Sequence, residues 1–167
     1  MFVFDASTLI LTAKIELLNL FLKEIGMEVA IPKAVEQECC GRKKTLDALM
    51  IQKAVDESKI KIKTVKNRKL VTRLEEDFSI ARGESEAIVL ALQERALVVG
   101  IDDRQGLNAC KLLGIPFTTA VAILLRSCER GLIERGDALN RLAALAKYGR
   151  YRSSILEDTK RRLEEQK

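Results

Sequence analysis

Met1-Phe2-Val3-Phe4-Asp5 and Leu97-Val98-Val99-Gly100-Ile101-Asp102-Asp103 are the stretches on which the fold turns. Each is a short apolar run that ends on carboxylate. A strand apolar on both faces belongs between two helical layers, as in a parallel sheet. Outward from the first run, Leu11, Ile15, Leu18 and Leu22 recur at helical spacing and predict one helix from Ser7 to about Ile25, ended by Gly26. Met27–Ile31 predicts a second strand closed by Pro32, which also suits the first turn of a short helix reaching about Cys40. Lys44–Ser58 reads as a further helix. Lys59–Lys63 alternates Lys with Ile, the period of a strand with one buried face.

Around the second run, Leu70–Asp77 is ambiguous, a stretch that suits one or two helical turns. Glu84–Arg95 follows Gly83 as a helix whose acidic first turn suits its dipole. Helices are also expected at Asp103–Leu113, Thr119–Arg130, Asp137–Lys147 and Arg152–Glu165, with a last strand at Ile115–Phe117. Strands interleaved with helices predict an α/β fold, a three-layer α/β/α sandwich around a mostly parallel five-stranded sheet. The expectation is a single domain over 1–167, of which 131–167 is a C-terminal helical extension.

The chain has 167 residues, 47% of them hydrophobic and 32% charged, which is a globular profile. At this length roughly 70% of the unfolded surface is buried, so no metal or disulfide staple is needed for a core. No apolar stretch is longer than the six residues of Ala120 to Leu125, far short of the ~20 residues of a membrane span. An acid as early as Asp5 argues against a signal peptide, so the expectation is a soluble, cytoplasmic protein with no membrane partner. There is no His, which excludes His-based triads and His-ligated zinc. Cys39, Cys40, Cys110 and Cys128 show no C-x-x-C spacing and read as small buried hydrophobes. Glycine-rich phosphate cradles are missing too, leaving carboxylates, Lys, Tyr and hydroxyls for chemistry.

In open α/β sheets the active crevice lies outside the carboxyl ends of the strands. If the two strands are parallel neighbours, Asp5 and Asp102/Asp103 stand side by side there. Carboxylates so placed repel and one pKa rises; a hard divalent cation such as Mg²⁺ or Mn²⁺ relieves the conflict. Helix capping is the competing account of these acids. Ser7 or Thr8 can cap the first helix as well, which leaves Asp5 with less structural excuse, while Asp103 is the better cap of its own helix and frees Asp102. Glu38 shares a helical face with Val35, so it either turns inward or lies on a solvated face. Glu84 and Glu86 either join the site or merely complement a helix dipole.

Taken in order, Asp5-Ala-Ser7-Thr-Leu-Ile, Ile31-Pro-Lys-Ala-Val-Glu-Gln-Glu38, Gly83-Glu-Ser-Glu86-Ala-Ile-Val-Leu-Ala and Val-Val-Gly-Ile-Asp102-Asp103-Arg104 resemble the acidic blocks of the PIN-domain nucleases. Ala109-Cys-Lys-Leu-Leu-Gly114-Ile-Pro-Phe-Thr-Thr119 is similar to that family's last strand and turn. The resemblance covers most of 1–130 and is nearest to a prokaryotic subgroup related to the VapC-type toxins. It implies a Mg²⁺- or Mn²⁺-dependent ribonuclease, either the toxin of a type II pair with an antitoxin partner or an RNA-processing enzyme. Carried over, the catalytic acids are Asp5, Glu38, Glu86 and Asp102, with Asp5, Glu86, Asp102 and Asp103 as metal ligands and Ser7 and Thr119 in support. Two departures stand out: Glu86 where many members have Asp, and Thr118 where the subgroup often has Gly.

The net charge of +5 is unevenly spread. From Lys59 to Arg73 no acid occurs, and this stretch either guards a sheet edge or contacts phosphates through Lys63, Lys66 and Lys69. Arg104 is a further phosphate candidate or the partner of a nearby acid. Tyr148 and Tyr151 pack on the domain or join Arg150 and Arg152 at nucleic acid. Apolar residues of the last two helices favour a homodimer. A catalytically silent RNA-binding domain, a receiver-like signalling domain and a phosphatase are the other classes. The last two lack their signature acids here.

Overall fold

A computed structural model describes residues 1–41 and 44–165 of the chain. Gln166 and Lys167, the end of the expected domain, lie outside the described residues. The strands are β1 (Phe2–Phe4), β2 (Val29–Pro32), β3 (Ile60–Lys63), β4 (Val98–Gly100) and β5 (Phe117–Thr118). They form one sheet in the order β3-β2-β1-β4-β5, and every pairing is parallel. The helices are α1 (Ala6–Lys14), α2 (Leu18–Glu24), α3 (Lys33–Cys40), α4 (Leu46–Asp56), α5 (Arg68–Phe78), α6 (Arg82–Glu94), α7 (Arg104–Leu113), α8 (Ala120–Glu129), α9 (Arg135–Tyr148) and α10 (Ser153–Glu165).

Period-2 alternation in β1 sends Phe2 and Phe4 to one face and Val3 to the other, so each face seeds its own core. Phe2, Phe4 and Phe21 of α2 cluster on the first face with ring centroids 4.5 to 5.4 Å apart, beside residues of α1, α3, α4, α8, α9 and α10. Val3, Ala30, Val99 and Ile101 meet α5, α6 and α7 on the second. Sheet and two covers make the three-layer α/β/α sandwich.

Most departures from the sequence reading lie at helix ends. The helix expected from Ser7 to Ile25 is broken into α1 and α2. Glu16 turns left-handed (φ 56°), its N–H donates to the Ala13 carbonyl and the next N–H, of Leu17, reaches Thr12. That pair of bonds is a Schellman stop at a non-glycine position, which is why the sequence hides it. The ambiguous Leu70–Asp77 is instead a full helix, α5, capped by the Asn67 side chain on the Leu70 N–H at 3.0 Å. In β3, the expected buried face is half open: Ile60 is buried, but Ile62 is 40% exposed because this strand forms the sheet edge.

Gly100 lies opposite Phe4 in the β1–β4 register. A Cβ there would come within 2.9 Å of the Phe4 ring and 3.1 Å of the Phe2 ring. Gly100→Ala therefore overpacks the aromatic cluster, and urea denaturation should show a loss of about 1–3 kcal/mol. An unchanged midpoint would show that the cluster is loose.

Candidate functional site

β1 and β4 are adjacent although the chain visits β2 and β3 between them, so their carboxyl ends flank the point where strand order reverses. Crevices form at such points. Asp5 and Asp102 each follow one of these strands, and the sheet brings them together: the Asp5 N–H donates to the Gly100 carbonyl at 2.9 Å.

Asp5 is fully buried. Its Oδ1 accepts the Thr8 N–H at 2.7 Å and its Oδ2 the Ser7 hydroxyl at 2.6 Å. Asp5 is thus itself the N-cap of α1, as the competing account had it, and the alternative caps Ser7 and Thr8 do not take that place; Ser7 instead steadies the carboxylate. Asp102, half-buried, accepts the Ala120 N–H at 2.9 Å on Oδ2 and the Tyr151 hydroxyl at 2.5 Å on Oδ1. Burial drives the Asp5 carboxyl up to about 7, against its hydrogen bonds to Ser7 and Thr8 and with a further push from Asp102. Burial likewise raises Asp102, against the pull of Tyr151, Ala120 and Thr8. The Thr8 hydroxyl thus lies against both acids, yet its buried Oγ1 closes no hydrogen bond. Two destabilised carboxylates and an orphaned hydroxyl are a hard oxygen donor set lacking a cation's charge.

The other candidate acids sit elsewhere. Glu86, 2% exposed, accepts Arg68 Nη1 at 2.5 Å and Arg82 Nε at 3.1 Å on Oε1, and the Ala34 N–H at 3.3 Å on Oε2. Burial works to raise its pKa, but the two guanidiniums and the Ala34 N–H outweigh it and hold the carboxyl below the usual range. Asp103 caps α7, accepting Gln105 N–H at 2.8 Å and Gly106 N–H at 3.2 Å, as expected. Glu38, exposed, lies over Gly83, where a Cβ would meet its Oε2 at 2.8 Å. Glu84 is raised by burial and by the fields of Asp103 and Glu38; it also reaches back to the Ala81 N–H at 3.1 Å. Glu38, Glu84 and Asp103 therefore form an outer acidic group beside the Asp5–Asp102 pair. Among the described residues no group of three or more His, Cys, Asp or Glu is arranged to hold a metal ion. A pair is sufficient for Mg²⁺, which keeps several waters and binds through one or two carboxylates plus substrate phosphate. The donor set fits.

Thr119 caps α8 by accepting the Ala122 N–H at 3.2 Å, next to the Ala120 N–H that holds Asp102. Arg104 opens α7, exposed. Lys63 is bracketed by Glu28 at 3.1 Å and Glu94 at 2.9 Å, while Lys61 pairs with Glu28 and Lys59 with Glu57. Lys66 and Lys69 are exposed. Sequence reasoning missed Thr8, and it left Tyr151 open between core packing and nucleic acid. Tyr151 fills a notch over Gly149, where a Cβ would lie 2.3 Å from its Cε2, and delivers its hydroxyl to Asp102. Nothing in its local spacing points to a partner forty-nine positions away. Cys39, Cys110 and Cys128 are buried, and none of the four cysteines is in a disulfide. Burial pushes Cys110 up to about 11, so it supplies no thiolate at neutral pH.

The raised Asp5 has a stability consequence whose sign is fixed. The folded protein holds this proton up to about pH 7 whereas the unfolded carboxyl releases it near 3.8, so stability falls as pH rises between them. Full ionisation costs roughly 4 kcal/mol on that shift. Asp5→Asn should remove this loss: by thermal or urea melts the variant gains on wild type from pH 5 to 8, and Mn²⁺ at pH 8 stabilises wild type only. Parallel pH profiles would show that Asp5 carries no such burden.

A family model described as a PIN domain matches residues 1–165. No curated protein and no solved structure matches the chain. The chain belongs to the PIN-domain family, whose members are in general nucleases.

Proposed function

We propose that this PIN-domain protein is a ribonuclease that hydrolyses RNA phosphodiester bonds with Mg²⁺ or Mn²⁺. The observation that carries the proposal is the Asp5–Asp102 pair, brought together at the sheet's switch point with burial raising both acids, where a cation would offset the cost of their charge. Asp5 and Asp102 would hold the ion, with Ser7, Thr119 and Tyr151 fixing their oxygens directly or through the Ala120 turn. A bound divalent ion supplies charge to a phosphodiester and acidifies a water molecule. Glu38, Glu84 and Asp103 line the adjacent rim, where a carboxylate can orient a water or bind in an outer shell. Glu86, placed with Arg68 and Arg82, stands apart from that group.

RNA as the nucleic acid, a cytoplasmic setting, an antitoxin partner and a homodimer through the last helices are finer parts of the same proposal. The exposed Tyr148 and Ile155 of α9 and α10 support self-association. Among the described residues no helix is long and apolar enough to cross a membrane. For RNA contact, Lys66, Lys69 and Arg104 have exposed side chains, and Lys63 must first exchange its two carboxylate partners.

Asp5→Asn and Asp102→Asn should each fold and yet lose at least about 100-fold of Mn²⁺-dependent cleavage of a labelled single-stranded RNA. Chelation of the metal should abolish wild-type cleavage while leaving binding. RNA bound but uncut at saturating Mn²⁺ would instead identify a silent binding domain, and full activity in both variants would overturn the assignment.

A further inference from the structure

Glu86 is the anomaly among the acids. A carboxylate that waits for a metal is left short of positive charge, as Asp5 and Asp102 are. Glu86 already has two guanidiniums and a backbone N–H on its oxygens. Both arginines are largely in solvent: the Arg68 side chain is 54% exposed and that of Arg82 is 66% exposed. A surface arginine is ordinarily a mobile side chain whose ordering costs entropy. Here a buried anion collects two of them, each from the first residue of its helix, α5 and α6.

The location follows from topology. α6 runs back to β4 and so begins at the carboxyl edge of the sheet, and Ala34 is the second residue past the end of β2. The arginines thus stand on the same rim as Asp5 and Asp102, displaced toward β2 and β3. Neighbouring strands are ~4.8 Å apart, so the acid pair and the arginine pair lie on the order of one or two strand spacings from each other along that edge. Each guanidinium has five N–H donors in a planar fork, of which Glu86 takes one, leaving the rest for a planar or tetrahedral oxyanion. On Glu86 itself two positive charges meet one negative, and both guanidiniums stay open to solvent. By contrast, the edge lysines Lys59, Lys61 and Lys63 spend their charge on Glu57, Glu28 and Glu94.

We propose that Arg68 and Arg82, gathered by the buried carboxylate of Glu86, form a clamp for a backbone phosphate of the RNA strand next to the one at Asp5 and Asp102, and that Glu86 is a positioning residue for this clamp. The inference rests on the ribonuclease reading and adds to it where the strand lies: across the carboxyl edge of the sheet, from β4 toward β3.

The test separates metal from phosphate. Mn²⁺ affinity of the full chain is measured by calorimetry without RNA, and affinity for a short fluorescent single-stranded RNA by anisotropy in chelator from 50 to 200 mM salt. Arg68→Gln and Arg82→Gln each leave one arginine on Glu86, which keeps the fold. Each should weaken RNA binding about three- to tenfold and lower the salt slope, the drop reaching about 0.7 when both are replaced, the contribution of one phosphate contact on a single strand. Glu86→Gln should weaken RNA binding with Mn²⁺ affinity unchanged, and Arg68→Lys should restore the slope without the full affinity. A tenfold loss of Mn²⁺ affinity in Glu86→Gln would make it a metal ligand and overturn the clamp. Unchanged salt slopes in both arginine variants, in a protein that still cleaves RNA, would overturn the clamp alone. A wild type that binds no RNA would overturn the ribonuclease reading and the clamp with it.

Discussion

Burial of two carboxylates that the sheet brings together is the constraint on which the rest of this molecule depends. Asp5 and Asp102 follow β1 and β4, and the parallel pairing of those strands sets them at the same end of neighbouring strands. Several hydrogen bonds are directed at them, from Ser7, Thr8, Ala120 and Tyr151. These contacts fix where the oxygens point but do not cancel the cost of burial, since both acids remain raised. A site that stays electrostatically unfavourable after its hydrogen bonds are made is one that a cation completes, and functional sites are where such costs are retained.

The same rim holds acids in opposite electrical conditions. Asp5 and Asp102 are held back from ionising, whereas Glu86 is held ionised by Arg68 and Arg82. Glu84 falls with the first kind, raised by burial and by Asp103 and Glu38. Phosphodiester chemistry needs both conditions, an electron-rich cradle for metal and an electron-poor surface for the flanking phosphates. The C-terminal helices belong to this arrangement through Tyr151, which ties the α9–α10 connection to Asp102. They are part of the site's frame as well as a cover for the first core.

Much of the fold was legible in the sequence. Two-sided apolar runs at Phe2–Phe4 and Val98–Gly100 marked central strands, and the acids after them marked the edge where a crevice forms. The break between α1 and α2 was harder to see, because Glu16 adopts a left-handed conformation at a position where glycine is the usual signal. Asp103 as cap and Asp102 as free acid followed from spacing alone. The partners of Glu86 did not, since Arg68, Arg82 and Ala34 come from three elements and meet only in the folded chain. Tyr151 was hidden for the same reason. The basic stretch from Lys59 to Arg73 was visible as charge, but only the structure divides it into lysines neutralised at the sheet edge and an arginine displayed at the rim.

The most direct measurement is a crystal structure of the protein soaked with Mn²⁺ and read by anomalous scattering. The account predicts a peak at ~2.0–2.3 Å from carboxylate oxygens of both Asp5 and Asp102, with Arg68 and Arg82 still on Glu86. A peak on Glu86 after release of its arginines, or ions only among the outer acids Glu38, Glu84 and Asp103 with Asp5 untouched, would contradict it.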